Sequence, residues 1–249
     1  MIDYEEITSS GKETILFIHR LGTSRWIWWQ QIPAFKDYRL LLVDLPGHGK
    51  SVSTPWTNLK ETVDLIAQHV IQNRAVYVVG LSLGGHVALE LVKQYPEKIQ
   101  SAFISGITVE PLPFRFFLRA QSWVIHRGQQ NPQYLTKLAR DAYQLPEEKI
   151  PDFITNYQLL TRQSYETIFK EIMDFRLDES YGSIVTPCFI VAGEEESRNR
   201  LKSVEVGPRY IPGAGGKVIP GAGHTWSVGK ADQFNQELRD WLTQTNNPL

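Results

Sequence analysis

A serine flanked by glycines, Gly80-Leu81-Ser82-Leu83-Gly84, joins an apolar run to a stretch with helical spacing. A strand–turn–helix context of this kind makes a nucleophile elbow. The turn lifts the serine hydroxyl above a sheet edge, and only small neighbours let strand and helix approach so closely. The helix N-terminus beneath it favours developing negative charge. A dinucleotide-binding turn has the same outline but requires a glycine where Ser82 stands. A hydroxyl attacks only when a base takes its proton. Of the six histidines, His224 has the best setting. It lies in the Gly-rich loop Pro220-Gly221-Ala222-Gly223-His224, between the last predicted strand and the last helix, at the same carboxyl edge as Ser82. His19 ends a strand and is expected to line the site without titrating. His48 falls in a structural loop, and His69, His86 and His126 fall on predicted helices with no motif.

The base needs a carboxylate to hold its tautomer and stabilise the imidazolium. Gly193-Glu194-Glu195-Glu196 follows a predicted strand and precedes His224, which fits the order serine, acid, histidine. Three adjacent glutamates leave the choice ambiguous; Glu196 is preferred, with Glu110 as the alternative. An oxyanion hole would use the backbone N–H of Leu83, directly after the nucleophile, and that of Leu21 in the loop His19-Arg20-Leu21-Gly22. With nucleophile and base both supplied by the chain, no cofactor is expected. No set of side chains at metal-ligand spacing is visible.

The elements that must carry these residues follow from periodicity. Short apolar runs at Thr14–Ile18, Arg39–Val43, Ala75–Val79, Ser101–Ser105, Pro187–Ala192 and Lys217–Ile219 read as strands. Leu59, Val63, Ile66, Ala67 and Val70 recur at helical spacing, and further helices are predicted over Ser82–Gln94 and Ala231–Thr243. Such alternation predicts an α/β fold with a mostly parallel sheet flanked by helices. From 110 to 183 the pattern turns helical, punctuated by Pro111, Pro113, Pro132, Pro146 and Pro151. The expectation is one domain: a core of 1–109 and 184–249, with 110–183 as a helical insertion before the last strands.

Composition narrows the partners. Twenty-six basic against 27 acidic side chains leave a net charge of −1, so no field draws the chain to nucleic acid or anionic lipid. Cys188 is the single cysteine, which excludes an internal disulfide framework, and its apolar run suggests a buried strand thiol. No apolar stretch approaches a membrane span, and the N-terminus lacks a signal-peptide layout, so a soluble, cytoplasmic protein is expected. Oligomeric state is not legible.

Taken in order, His19-x-x-Gly22, Asp44-x-Pro46-Gly47-His48-Gly49-x-Ser51, Gly80-x-Ser82-x-Gly84-Gly85, Gly193-x-x-Glu196 and Gly223-His224 resemble the α/β-hydrolase superfamily over nearly the whole chain. The resemblance puts Glu196 where members carry the triad acid, more often Asp, and makes the insertion a cap over the site. One departure stands out: Arg20 occupies a position where members usually have glycine. It raises two expectations, an arginine that meets an anionic group on the substrate, or a solvent-facing side chain. Trp26, Phe114, Phe116, Phe117, Trp123 and Trp226 crowd the loops and insertion. His19, Arg20, Trp26, Phe114, Phe117, Trp123 and Trp226 are the candidate pocket residues, and a small hydrophobic ester is the expected substrate. Arg115 and Arg119 could be surface charges. Because one fold hosts several chemistries, three functions remain open: an acyl hydrolase, a lyase using the same three residues, or a receptor-like binder with little turnover.

Overall fold

The computed structural model describes residues 1–8, 11, 13–112 and 126–246. Phe114, Phe116, Phe117, Trp123, Arg115 and Arg119 therefore lie outside the described residues.

The strands are β1 (Asp3–Ile7), β2 (Thr14–Ile18), β3 (Arg39–Asp44), β4 (Val76–Leu81), β5 (Ile99–Ser105), β6 (Cys188–Gly193) and β7 (Ala214–Ile219). The helices follow in chain order as α1 (Gln31–Ala34), α2 (Leu59–Leu65), α3 (Leu83–Gln94), α4 (Pro132–Asp141), α5 (Ile150–Leu159), α6 (Arg162–Asp174), α7 (Arg198–Tyr210), α8 (Trp226–Gly229) and α9 (Ala231–Asn246). Among the described residues the strands form one sheet in the order β1-β3-β2-β4-β5-β6-β7. Only β1 runs antiparallel to its neighbour; every other pairing is parallel. The α/β architecture expected from the alternation is thus the observed one.

Alternate side chains of each strand leave on opposite faces, and this splits the core in two. Leu16, Ile18, Leu41, Val43, Val78, Ala102, Ile104 and Ile190 pack with α2, α3 and α7. Ile15, Phe17, Leu40, Leu42, Val79, Phe103 and Val191 pack with Trp28, Phe35 and the Phe234, Leu238 and Leu242 stripe of α9. Both faces being covered explains why β2 to β6 read as nearly continuous apolar runs. Cys188 is buried in β6, where loss of water pushes its thiol up to about 12.

β1 and α7 are among the elements that escaped the sequence reading. β1 carries Asp3, Glu5 and Glu6 and is only partly buried; its register against β3, Asp3 opposite Asp44, comes from tertiary pairing. α7 is polar and contains Gly207 and Pro208, residues that argue against a helix locally. It forms because Val206 and Gly207 close onto Ile190 of β6, where a Cβ at 207 would collide. A third difference is smaller: the helix read over Leu59–Ile71 is α-helical only to Leu65 and widens into a π-helical segment at Ile66–Ile71.

Between β5 and β6 the described residues hold helices and turns. Tyr143, Phe153 and Tyr157 join one apolar cluster of the core, and Tyr165 and Ile168 the other. Trp56 and Leu59 donate to the Glu171 carboxylate of α6 at 2.7 and 2.9 Å. No helix among the described residues is long and apolar enough to cross a membrane.

Candidate active site

β4 ends at Leu81 and α3 begins at Leu83, which leaves Ser82 alone at the corner with φ 56° and ψ −112°. For a residue with a Cβ this conformation is strained by about 1–3 kcal/mol and persists only when neighbours enforce it. Here the Ser82 N–H donates to the Ser105 carbonyl at 2.8 Å, while Gly85 and His86 N–H groups converge on the Ser82 carbonyl at 2.9 and 3.2 Å. The corner is too tight for any side chain beside it. A Cβ on Gly80 would strike the Gly84 carbonyl, and one on Gly84 the Ile18 carbonyl at the end of β2.

The loop after β7 brings His224 to this corner. Its Nε2 lies 3.1 Å from Ser82 Oγ, and its Nδ1 lies 2.6 Å from Glu196 Oε2. With Nδ1–H donating to the carboxylate, Nε2 carries a lone pair toward the hydroxyl. The Glu196 side chain has no exposed surface, and its second oxygen accepts the Gly193 N–H at 3.0 Å. Burial raises the Glu196 pKa, but His224, the Gly193 N–H and the Arg200 charge outweigh it and leave the carboxyl below its ordinary value. Burial, reinforced by the charges of Arg20 and Arg200, holds the His224 imidazole down to about 4 against the pull of Glu196. At neutral pH the ring is uncharged and able to accept a proton.

Among the described residues, only Glu196 pairs with His224. Glu110 is half exposed and pairs with Lys202 at 2.6 Å. Glu194 accepts the Gly221 N–H at 2.8 Å on the surface, and Glu195 is exposed. Only Glu196 turns inward.

The loop His19–Thr23 sits across from α3. His19 is fully buried with both nitrogens used: Nδ1–H donates to the Arg20 carbonyl at 2.8 Å, and Nε2 accepts the Leu45 N–H at 3.0 Å. Burial lowers its pKa to about 4, so it stays neutral and braces the loop. His48 packs edge-on against it, 5.1 Å between ring centres. Among the described residues, neither the Leu21 nor the Leu83 N–H meets a protein acceptor, as a pair of oxyanion donors requires. Arg20 is not solvent-facing: it is half-buried, with its guanidinium 4.1 Å from the centre of the Tyr143 ring.

Two aromatic expectations change. Trp226 is a core residue, 2% exposed. The start of α8 turns its ring inward onto Phe234, 4.8 Å away, and its indole N–H donates to Ser105 Oγ at 2.9 Å. Trp26 is half-buried and stacks on Trp29 at 6.0 Å, both rings packing on the core.

Three neighbours of the site were not singled out in the sequence. Arg200 Nε stands 3.5 Å from Glu196 Oε2 and donates to the Gly106 carbonyl at 3.2 Å; the i,i+4 spacing to Glu196 was its only signal. His86, one helical turn after Ser82, has ring nitrogens 3.0 Å from the Ser82 and Thr108 carbonyls. Arg25 pairs with both Asp3 and the buried Asp44 under the His19 loop. No group of three or more His, Cys, Asp or Glu side chains among the described residues could hold a metal ion.

Comparison with known proteins gives the family. Residues 15–237 match the model of the alpha/beta hydrolase family. A 2-hydroxy-6-oxononadienedioate/2-hydroxy-6-oxononatrienedioate hydrolase of Paraburkholderia phymatum is 27% identical, over 95% of this chain and 89% of its own length. A pimeloyl-[acyl-carrier protein] methyl ester esterase of Yersinia enterocolitica is 23% identical over 98% of both chains. Among solved structures, an esterase from Exiguobacterium antarcticum superposes with a TM-score of 0.80 at 19% identity, over 97% of this chain and 95% of that one. The chain belongs to the alpha/beta hydrolase family.

Proposed function

We propose that this protein is a serine hydrolase of carboxylic esters or related acyl compounds, working through an acyl-enzyme on Ser82. The observation that carries the reading is the unbroken line from Ser82 Oγ through His224 to buried Glu196, with spacings of 3.1 and 2.6 Å. Relatives named as hydrolases and esterases point the same way.

In this reading His224 Nε2 takes the Ser82 proton as Oγ bonds to the ester carbonyl carbon. The imidazolium keeps its Nδ1–H on Glu196, whose negative charge stabilises it. Charge building on the carbonyl oxygen is met by the N–H of Leu83, at the head of α3, and that of Leu21, in the loop after β2. Collapse breaks the bond to the leaving alkoxide, which takes the proton from Nε2. Water then repeats the sequence: it gives a proton to Nε2, attacks the acyl carbon and releases the acid with Ser82 restored. The segment 110–183 serves as a cap, with Tyr143 and Tyr157 among its described residues supplying an apolar wall for a small or medium acyl group.

The test is hydrolysis of a p-nitrophenyl ester series from acetyl upward, with Ser82→Ala alongside. Turnover that the variant loses by about 10³-fold or more, with fluorophosphonate labelling confined to Ser82, is the expected result. Turnover that survives Ser82→Ala would sink the reading.

A further inference from the structure

Among the described residues, the guanidinium of Arg20 beside the site has no anion. The Arg20 carbonyl is held by His19 Nδ1–H at 2.8 Å and by the Thr23 hydroxyl at 3.0 Å, so the backbone is pinned while the guanidinium lies on the Tyr143 ring. Among the described residues no carboxylate pairs with it, and its Nε is buried without a hydrogen-bond partner. Residues 113–125 include no Asp or Glu.

Contacts on three sides locate the group. Thr225, next to His224, donates its hydroxyl proton to the carbonyl of Ala142, the residue before Tyr143, at 2.9 Å. The Tyr143 and Tyr157 hydroxyls lie 3.1 Å apart, and the Tyr157 ring presses on Gly22, leaving no space for a Cβ there. Arg20 is therefore bracketed by the His224 loop, the helical segment and the loop carrying Leu21. Of the charges acting on His224, Arg20 and Arg200 are positive and Glu196 alone is negative. Arg200 already stands beside Glu196. With His224 neutral, these three described groups leave one uncompensated positive charge.

A buried donor without an acceptor is costly, and a bound acceptor removes that cost. A guanidinium resting on an aromatic face keeps its edge donors for a planar carboxylate. We infer that Arg20 is a specificity-determining residue that binds a carboxylate on the substrate, so that the preferred substrates are small esters bearing a negative charge near the scissile bond. The inference rests on the esterase reading above and narrows its substrate class.

Two ester pairs test it: mono-p-nitrophenyl glutarate against its methyl ester, and 4-acetoxybenzoate against methyl 4-acetoxybenzoate. The members of each pair differ by the charge and one methyl group, on the acyl side in the first and on the leaving group in the second, and comparison with Arg20→Met isolates the charge. For one pair the intact protein should show the higher kcat/KM on the charged member, and added salt should erode that preference. Arg20→Met should lower the charged-to-neutral ratio by roughly 10- to 100-fold, the range of a charge-assisted hydrogen bond, and Arg20→Lys should retain part of it. The pair that responds tells which side of the ester carries the carboxylate. No preference in the intact protein, or a ratio unchanged within about twofold in Arg20→Met on both pairs, overturns the inference. Ser82 labelled by fluorophosphonate with an unchanged ratio overturns it alone; no label and no turnover of any ester overturns the esterase reading beneath it.

Discussion

Glu194, Glu195 and Glu196 are chemically identical and adjacent, yet burial separates them completely. Glu196 loses all side-chain exposure and receives His224, Gly193 and Arg200, while the other two remain in water. Glu196→Gln should therefore cut kcat/KM well below the intact protein, though less than Ser82→Ala or His224→Ala, because the acid assists rather than performs the proton transfer. Glu194→Gln, Glu195→Gln and Glu110→Gln should stay within a few-fold of the intact protein, and a larger loss for Glu110→Gln would move the acid elsewhere. The pH profile tests the same line. The base works only when neutral, and burial together with Arg20 and Arg200 holds His224 at about 4 against the pull of Glu196. Activity should thus rise with pH along a limb below the ordinary histidine value of about 6.5. Arg20→Met, by removing a positive neighbour, should move that limb to higher pH.

The elements are built to bring three sheet ends together. Gly84 lets the N-terminus of α3 touch the end of β2, and Gly84→Ala would drive a Cβ into the Ile18 carbonyl. Because the obstacle is backbone, the helix must move. A loss of about 1–3 kcal/mol is expected in a urea titration, with a fall in kcat as the Leu83 N–H leaves its place. The opposite wall depends on Asp44, whose carboxylate accepts the Arg25 N–H at 2.8 Å, Arg25 Nη2 at 2.7 Å and the Lys50 N–H at 2.9 Å. Its side chain is 2% exposed. Asp44→Asn leaves a buried guanidinium with less than its due of charge. A cost of about 3–5 kcal/mol, seen as a lowered denaturation midpoint, is expected, and Asp44→Glu should not restore it fully.

At the scale of the whole molecule, acid should destabilise this protein in two stages. His19, His48 and His86 are buried and neutral, with pKa values near 4, 3 and 4, each set first by loss of water. Once unfolded, each binds a proton below about pH 6.5. Between that pH and the folded values the unfolded chain holds more protons, so stability falls as pH drops. Each pH unit of depression corresponds to about 1.4 kcal/mol for a group, so a loss of several kcal/mol is expected between pH 7 and pH 5. Below about pH 4, protonation of Asp44 and Glu196, both held below their ordinary values, removes a second contribution of the same sign. Urea titrations at pH 7, 5 and 3 check both stages; a flat response from pH 7 to 5 would mean that these histidines are not held neutral.

Local pattern was sufficient wherever one segment carries its own signal. The five inner strands β2 to β6, buried on both faces, announce themselves as apolar runs, and the serine between glycines is legible because a turn so tight admits few other residues. His224 follows from its loop and its place at the chain's last strand. Local pattern failed where a segment depends on its neighbours. The edge strand β1 is held by register against β3; α7 forms around Gly207 because Ile190 lies beneath it; Trp226 turns into the core rather than toward the site. The distinction between Glu196 and its neighbours, the reach of Arg200 to the Gly106 carbonyl, and the burial of Arg20 against Tyr143 join residues far apart in the chain. Period and turn chemistry act over a few residues and are written in order along the chain, whereas desolvation and charge pairing depend on what folding brings within a few ångströms, and only the tertiary structure decided those.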